Sequence, residues 1–98
     1  MTLINEKWRP NSGRRTVDGI EFRSWKIGIQ RNTWVSADGK IRVDHTIGGS
    51  RTRATETFTA QIEHPDETDE WISNGNKTKR FRSFETAARA AIRIRDRE

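Results

Sequence analysis

KIRVDHTI, residues 40–47, alternates without a break: Ile41, Val43, His45 and Ile47 share one parity, and Arg42, Asp44 and Thr46 the other. Side chains alternate faces along a strand, so this is a β-strand with one apolar and one polar side. Asp38-Gly39 stands just before it. That dipeptide is a hairpin signal, because the type I′ turn needs positive φ and glycine supplies it cheaply. The strand is expected to end at Gly48-Gly49.

The pattern extends in both directions. Upstream, residues 20–36 are strand-like, with Trp25, Ile27, Ile29 and Val35 on one parity and Ile20 and Phe22 on the other. A bulge near Arg23-Ser24 accounts for the switch, and so does a break into two strands near Arg31-Asn32. Downstream, TRATETFTAQI at 52–62 sets Phe58, Ala60 and Ile62 against Thr55, Thr57, Thr59 and Gln61, as a half-exposed sheet requires. The polar run at 63–70 reads as a loop. Trp71-Ile72 starts a short strand, and Asn74-Gly75 is a second tight turn with residues 79–81 returning. Residues 1–19 show little periodicity. Leu3, Ile4 and Trp8 can anchor them, Asn11-Ser12-Gly13 reads as a loop, and the whole is either a surface loop or a basic arm.

SFETAARAAIRI, residues 83–94, carries the helical period. Ser83 is the expected N-cap, with Glu85 in the first turn where the dipole favours an anion. Thr86 stands where a capping box needs Glu or Gln. Phe84, Ala87, Ala88, Ala91 and Ile94 form one apolar face, and its alanines imply close approach to a sheet. Arg95 falls within that face, so the helix either ends near it or lets it snorkel. The fold class is therefore α+β: an antiparallel sheet of four to six strands with one C-terminal helix packed across one face, residues 1–98 forming a single domain.

The core is small. Leu, Ile, Val and Phe number eighteen of 98 residues, a poor stock that four tryptophans supplement. Cysteine is absent, which excludes disulfides, thiolate metal sites and a thiol nucleophile. No apolar run has the length of a membrane span or a signal peptide, so the default expectation is a cytoplasmic protein without a membrane partner.

Charge is unevenly placed. Residues 1–62 carry eleven bases and six acids, residues 63–76 five acids and no base, and residues 77–98 eight bases and three acids. Fourteen of the nineteen bases are arginine, whose planar fork suits phosphate and base edges. Arg82, Arg89, Arg93 and Arg97 project from one side of the helix. Arg23, Arg42, Arg51 and Arg53 lie on or beside strands, and the Arg14-Arg15 pair lies in the N-terminal segment. Of the tryptophans near them, Trp25 and Trp71 are expected in the core. Trp34, of opposite parity to Trp25, is the expected exposed stacking residue.

Enzyme signatures are missing. His45 and His64 have no metal-ligand spacing, and His45 sits on an apolar parity as a core histidine would. Pro65-Asp66 lacks the Glu-x-Lys of a nuclease motif. The acids at 66–70 do not have calcium-loop spacing, and no glycine-rich phosphate loop is present. The expectation is a non-enzyme with no cofactor.

The segments Phe58-Thr59-Ala60-Gln61-Ile62-Glu63 and Lys79-Arg80-Phe81-Arg82-Ser83-Phe84-Glu85-Thr86-Ala87-Ala88-Arg89-Ala90 resemble the end of Apetala-type DNA-binding domains and the related arm-binding domains of phage integrases. There a strand ending in phenylalanine feeds an alanine-faced helix, and the sheet enters the major groove. The resemblance spans residues 57–95. The acidic insertion at 63–70 interrupts it, extra strands precede it, and an arginine-rich opening strand is not evident. In general style the chain resembles small phage or prophage accessory proteins.

Two functions follow as expectations. The first is non-enzymatic binding of DNA or RNA through Arg14, Arg15, Arg23, Trp34, Arg42, Arg51, Arg53, Arg82, Arg89, Arg93 and Arg97. The second is an inhibitor or adaptor of a host protein or ribonucleoprotein complex, in the manner of an anti-CRISPR protein. In that reading Asp66, Glu67, Asp69 and Glu70 imitate phosphates beside Trp71. A structural role in a virion or mobile element is a third class, for which no residue speaks. The nucleic-acid reading requires the arginines to gather on one exposed patch.

Overall fold

The computed structural model describes residues 8–28, 31–50, 53–66, 68–75 and 77–96; the expectations for Leu3, Ile4, Ile29, Arg51, Glu67 and Arg97 fall outside them. The chain is α+β. Six strands, β1 (Arg9–Val17), β2 (Ile20–Gly28), β3 (Arg31–Ser36), β4 (Ile41–Ser50), β5 (Arg53–Glu63) and β6 (Asp69–Trp71), form an antiparallel sheet in chain order. A two-stranded ribbon, β7 (Ser73–Asn74) and β8 (Lys77–Thr78), leads into the helix α1 (Phe84–Asp96).

The first correction concerns the N-terminal segment. Residues 9–17 are neither a loop nor an arm but the edge strand β1. Asp18 and Gly19 take φ of 50° and 81°, and Val17 pairs with Ile20, so Asp18-Gly19 is the two-residue turn with positive φ at both positions. Asn11, Ser12 and Gly13, expected as a loop, are absorbed by a bulge where the register shifts between Pro10 and Arg14. At Asp38-Gly39 only the glycine is left-handed, at φ 73°.

Other boundaries move in smaller ways. The break near Arg31-Asn32 is the alternative observed, since β2 and β3 are separate strands paired Phe22 to Ser36. β4 runs through Gly48-Gly49 to Ser50, because β5 pairs with it along its whole length, down to Ser50 and Arg53. The acidic run is not all loop: Glu63 closes β5, and Asp69 and Glu70 belong to β6. The return strand is Lys77–Thr78 against Ser73–Asn74, and of residues 79–81 Lys79 continues it, its N–H reaching the Ile72 carbonyl at 2.8 Å. Phe81 instead makes a bridge to Phe58.

Directly opposed residues point to the same side of a sheet, so the register sorts the side chains into two faces. One face carries Phe22, Ile41, Val43, Phe58, Ala60 and Ile62, and α1 lies against it with Phe84, Ala87, Ala88, Ala91 and Ile92 buried. Ile92 belongs to the buried set, while Ile94 is only partly covered. Ser83 caps the helix, its hydroxyl accepting the Thr86 N–H at 3.2 Å. Trp34 lies on this face too, opposite Val43 and tilted against Phe84 at a centroid distance of 5.3 Å. Its ring rests over Gly13, where a Cβ would stand 2.6 Å from the indole.

Helix α1 continues through Arg95, which snorkels to Asp38 in the β3–β4 turn at 2.8 Å. Burial alone would raise the Asp38 carboxyl. The Ser36 hydroxyl, the Lys40 N–H and the Arg95 guanidinium together hold it below the ordinary carboxylate value. A carboxyl depressed in the folded state stabilises it at neutral pH and loses that contribution as pH falls below about 4. Asp38→Asn should therefore flatten the acid limb of a stability-against-pH curve. Denaturant unfolding at pH 7 and pH 3 measures this; an unchanged difference between the two pH values would refute it.

Candidate nucleic-acid interface

The sheet face turned away from α1 carries most of the remaining chemistry. One register row crosses all six strands on it: Arg14, Arg23, Val35, Arg42, Gln61 and Trp71. The next row runs Pro10, Trp25, Thr33, Asp44 and Thr59. Strands lie about 4.8 Å apart, so Arg14 and Arg42 stand roughly 14 Å from each other.

The middle of this face is a closed polar network. Arg42 donates from Nε to Asp44 Oδ1 at 2.6 Å and from its terminal nitrogen to Oδ2 at 2.9 Å. The Thr33 hydroxyl donates to Asp44 Oδ1 at 2.7 Å. The Arg42 guanidinium is sandwiched between indoles, 4.8 Å from the Trp8 ring centre and 5.6 Å from that of Trp71. Side-chain exposure is 17% for Arg42 and 2% for Asp44. Such an arginine is held by its own neighbours and has little left for a ligand.

The β1–β2 end is different. Arg14 and Arg23 are exposed and face each other directly across the two strands. Like charges so placed destabilise a sheet. Arg23 has only Glu21 at 3.8 Å, an exposed ion pair of little strength, and no described carboxylate pairs with Arg14. Beside them Trp25 is half-buried. Pro10, Asn11, Gly13, Arg14, Arg23, Ser24 and Trp25 line a hollow of about 520 Å³. A second hollow of about 320 Å³ lies across Arg23 and Trp25, bounded by Glu21, Val35, Ser36 and Ala37.

The expected site residues thus divide. Arg14 and Arg23 come together. Trp34 does not join them: it is packed under the helix, and Trp25, expected in the core, stands on the open face in its place. Trp71 is likewise on the open face. Arg15 is on the helix side, 4.8 Å from the Trp34 ring centre and 4.9 Å from that of Phe84. Arg82, Arg89 and Arg93 are exposed on and beside α1, with Arg89 3.7 Å from Asp18 in the β1–β2 turn. The arginines therefore lie on two faces, and the single patch required by the sequence reading is not what the fold builds. Arg53 has its backbone in β5, and its side chain is outside the described residues.

The acidic segment is engaged internally. Asp66 accepts from the Thr68 hydroxyl at 2.6 Å and from the Thr68 N–H at 3.1 Å, and these bonds lower its pKa from the ordinary value. Glu70 meets His64 Nε2 at 2.6 Å. Asp69 pairs in register with Glu63. Asp66 and Glu70 are thus taken up by near neighbours, while Asp69 is exposed opposite the buried Glu63. His45 stacks on Phe58 at 4.4 Å, as a packing histidine does; its Nε2 lies 3.4 Å from Glu56 but makes no hydrogen bond. Among the described residues there is no cluster of His, Asp and Glu able to hold a metal, and no helix long and apolar enough to cross a membrane.

The chain matches no protein-family model, no curated protein and no solved structure.

Proposed function

We propose, on the narrower ground of one arginine pair in place of the single patch that the sequence reading required, that this protein is a non-enzymatic nucleic-acid-binding module whose contact surface is the β1–β2 end of the open sheet face. One observation carries the reading: Arg14 and Arg23, both exposed, are held opposite each other, and the one described carboxylate paired with either is the exposed Glu21, 3.8 Å from Arg23. A pair that costs stability in the free protein is relieved by a polyanion lying across both guanidiniums. The net charge of +5 adds long-range attraction. Arg89 and Arg93, on the other side of the sheet, extend the positive field without belonging to the contact.

The test is a mobility shift over a salt series with single-stranded DNA, duplex DNA and RNA. For every phosphate the protein no longer neutralises, the slope of log K against log salt falls by about 0.7 for single strands or 0.9 for duplex. Arg14→Ala/Arg23→Ala should lower the slope by roughly 1.4 to 1.8, whereas Arg89→Ala/Arg93→Ala should change it little. Affinity weaker than about 100 μM for every probe at low salt, the weak end of non-specific binding, would refute the proposal.

A further inference from the structure

Resting on that reading, we infer that the ligand is a single strand, one of whose unpaired bases stacks on Trp25 between the Arg14–Arg23 pair and the floor of the sheet. Trp25 stands in the row next to Arg14 and Arg23, and its ring forms part of the wall of both hollows. A stacking wall needs a base with a free face. In a duplex the faces are covered by neighbouring pairs and only the edges are presented in the grooves. Reading those edges from a sheet takes side chains that stand out into the groove, while here the aromatic is half-buried beside two exposed arginines. A phosphate ridge could reach the guanidiniums but not the indole. A flexible strand can do both, its phosphates on Arg14 and Arg23 and its base turned inward.

The chemistry of the remaining wall agrees. Pro10 supplies an apolar surface opposite Trp25 in the register. Val35 and Ala37 continue the apolar lining in the second hollow. Stacking on an indole suits any base and either sugar, as stacking platforms do. The Trp25 Nε1–H is buried and makes no hydrogen bond.

The experiment compares labelled dT₁₂, rU₁₂ and a 12-base-pair blunt duplex by fluorescence anisotropy at low salt. Wild-type protein, Trp25→Ala and Trp25→Phe are each checked for fold by circular dichroism. Stacking on an aromatic typically changes affinity by about 5- to 150-fold on truncation to alanine. The expected result is that dT₁₂ and rU₁₂ bind alike and at least tenfold tighter than the duplex. Trp25→Ala should then lose about tenfold or more for the single strands alone, with Trp25→Phe in between. Single strands should also quench indole emission in the wild type and lose most of that effect in Trp25→Phe. Equal binding of duplex and single strands, or an equal loss for both in Trp25→Ala, overturns the inference and leaves the nucleic-acid reading standing. Absence of binding by all three probes overturns both.

Discussion

Asp44→Ala is expected to destabilise the fold by about 3–5 kcal/mol, the usual cost of removing one partner from a buried ion pair. Asp44 is 1% exposed and accepts hydrogen bonds from Arg42 and Thr33. Without it the largely buried Arg42 cation stays against Trp8 and Trp71 with no counter-charge among the described residues. A domain of this size loses roughly 4–8 °C of melting temperature per kcal/mol, so a fall of at least about 12 °C should follow. Replacing both partners by apolar residues, as in Arg42→Met/Asp44→Val, should recover much of the loss, since no orphan charge remains. Thermal unfolding of the two variants beside the wild type decides it. If the double variant is no better than Asp44→Ala, charge burial is not what makes the single change costly.

Phe84→Ala should be comparably severe, about 3–5 kcal/mol. Phe84 is 1% exposed, meets Phe22 edge-on at 5.4 Å, leans on Trp34 at 5.3 Å and lies beneath the Arg15 guanidinium. The first turn of α1 is fastened to β2 and β3 through this ring, so a cavity there loosens the helix where it enters the core. Phe84→Leu keeps most of the volume and should cost much less. Denaturant titration followed by circular dichroism reports the midpoint. A loss under about 1 kcal/mol for alanine would mean that the helix is anchored elsewhere, by its alanine face.

The architecture was legible because β4, β5 and α1 carry clean periods: Ile41 to Ile47, Phe58 to Ile62, and Phe84 to Ala91. β1 was not, because Pro10, Asn11, Ser12 and Gly13 are turn formers that a bulge takes up inside a strand. Yet Asp18-Gly19 is the same dipeptide that marked the β3–β4 hairpin. Reading it as a two-residue turn sets Arg14 opposite Arg23, so the pair that carries the proposed site was within reach of the sequence. The exchange of Trp34 and Trp25 has a similar origin. Their opposite parity was plain, but counting odd-numbered apolar residues in 20–36 put the wrong one inside. Folding the hairpin about Asp38-Gly39 opposes Trp34 to Val43, whose apolar parity faces the core. What no pattern could supply was the second layer on the open face, because Arg42 reaches Trp8 only after the sheet brings distant strands together.

The meander of β1 to β6 has a consequence for biosynthesis. Each strand pairs with the one made just before it, so hairpins can assemble as the chain leaves the ribosome. The oily side of that sheet, however, has no cover until α1 has been translated and swings back over it. During that interval Phe22, Val43 and Phe58 are bare to the surrounding solvent, and a pause in translation ahead of Phe84 would leave a nascent sheet ready to associate with its neighbours.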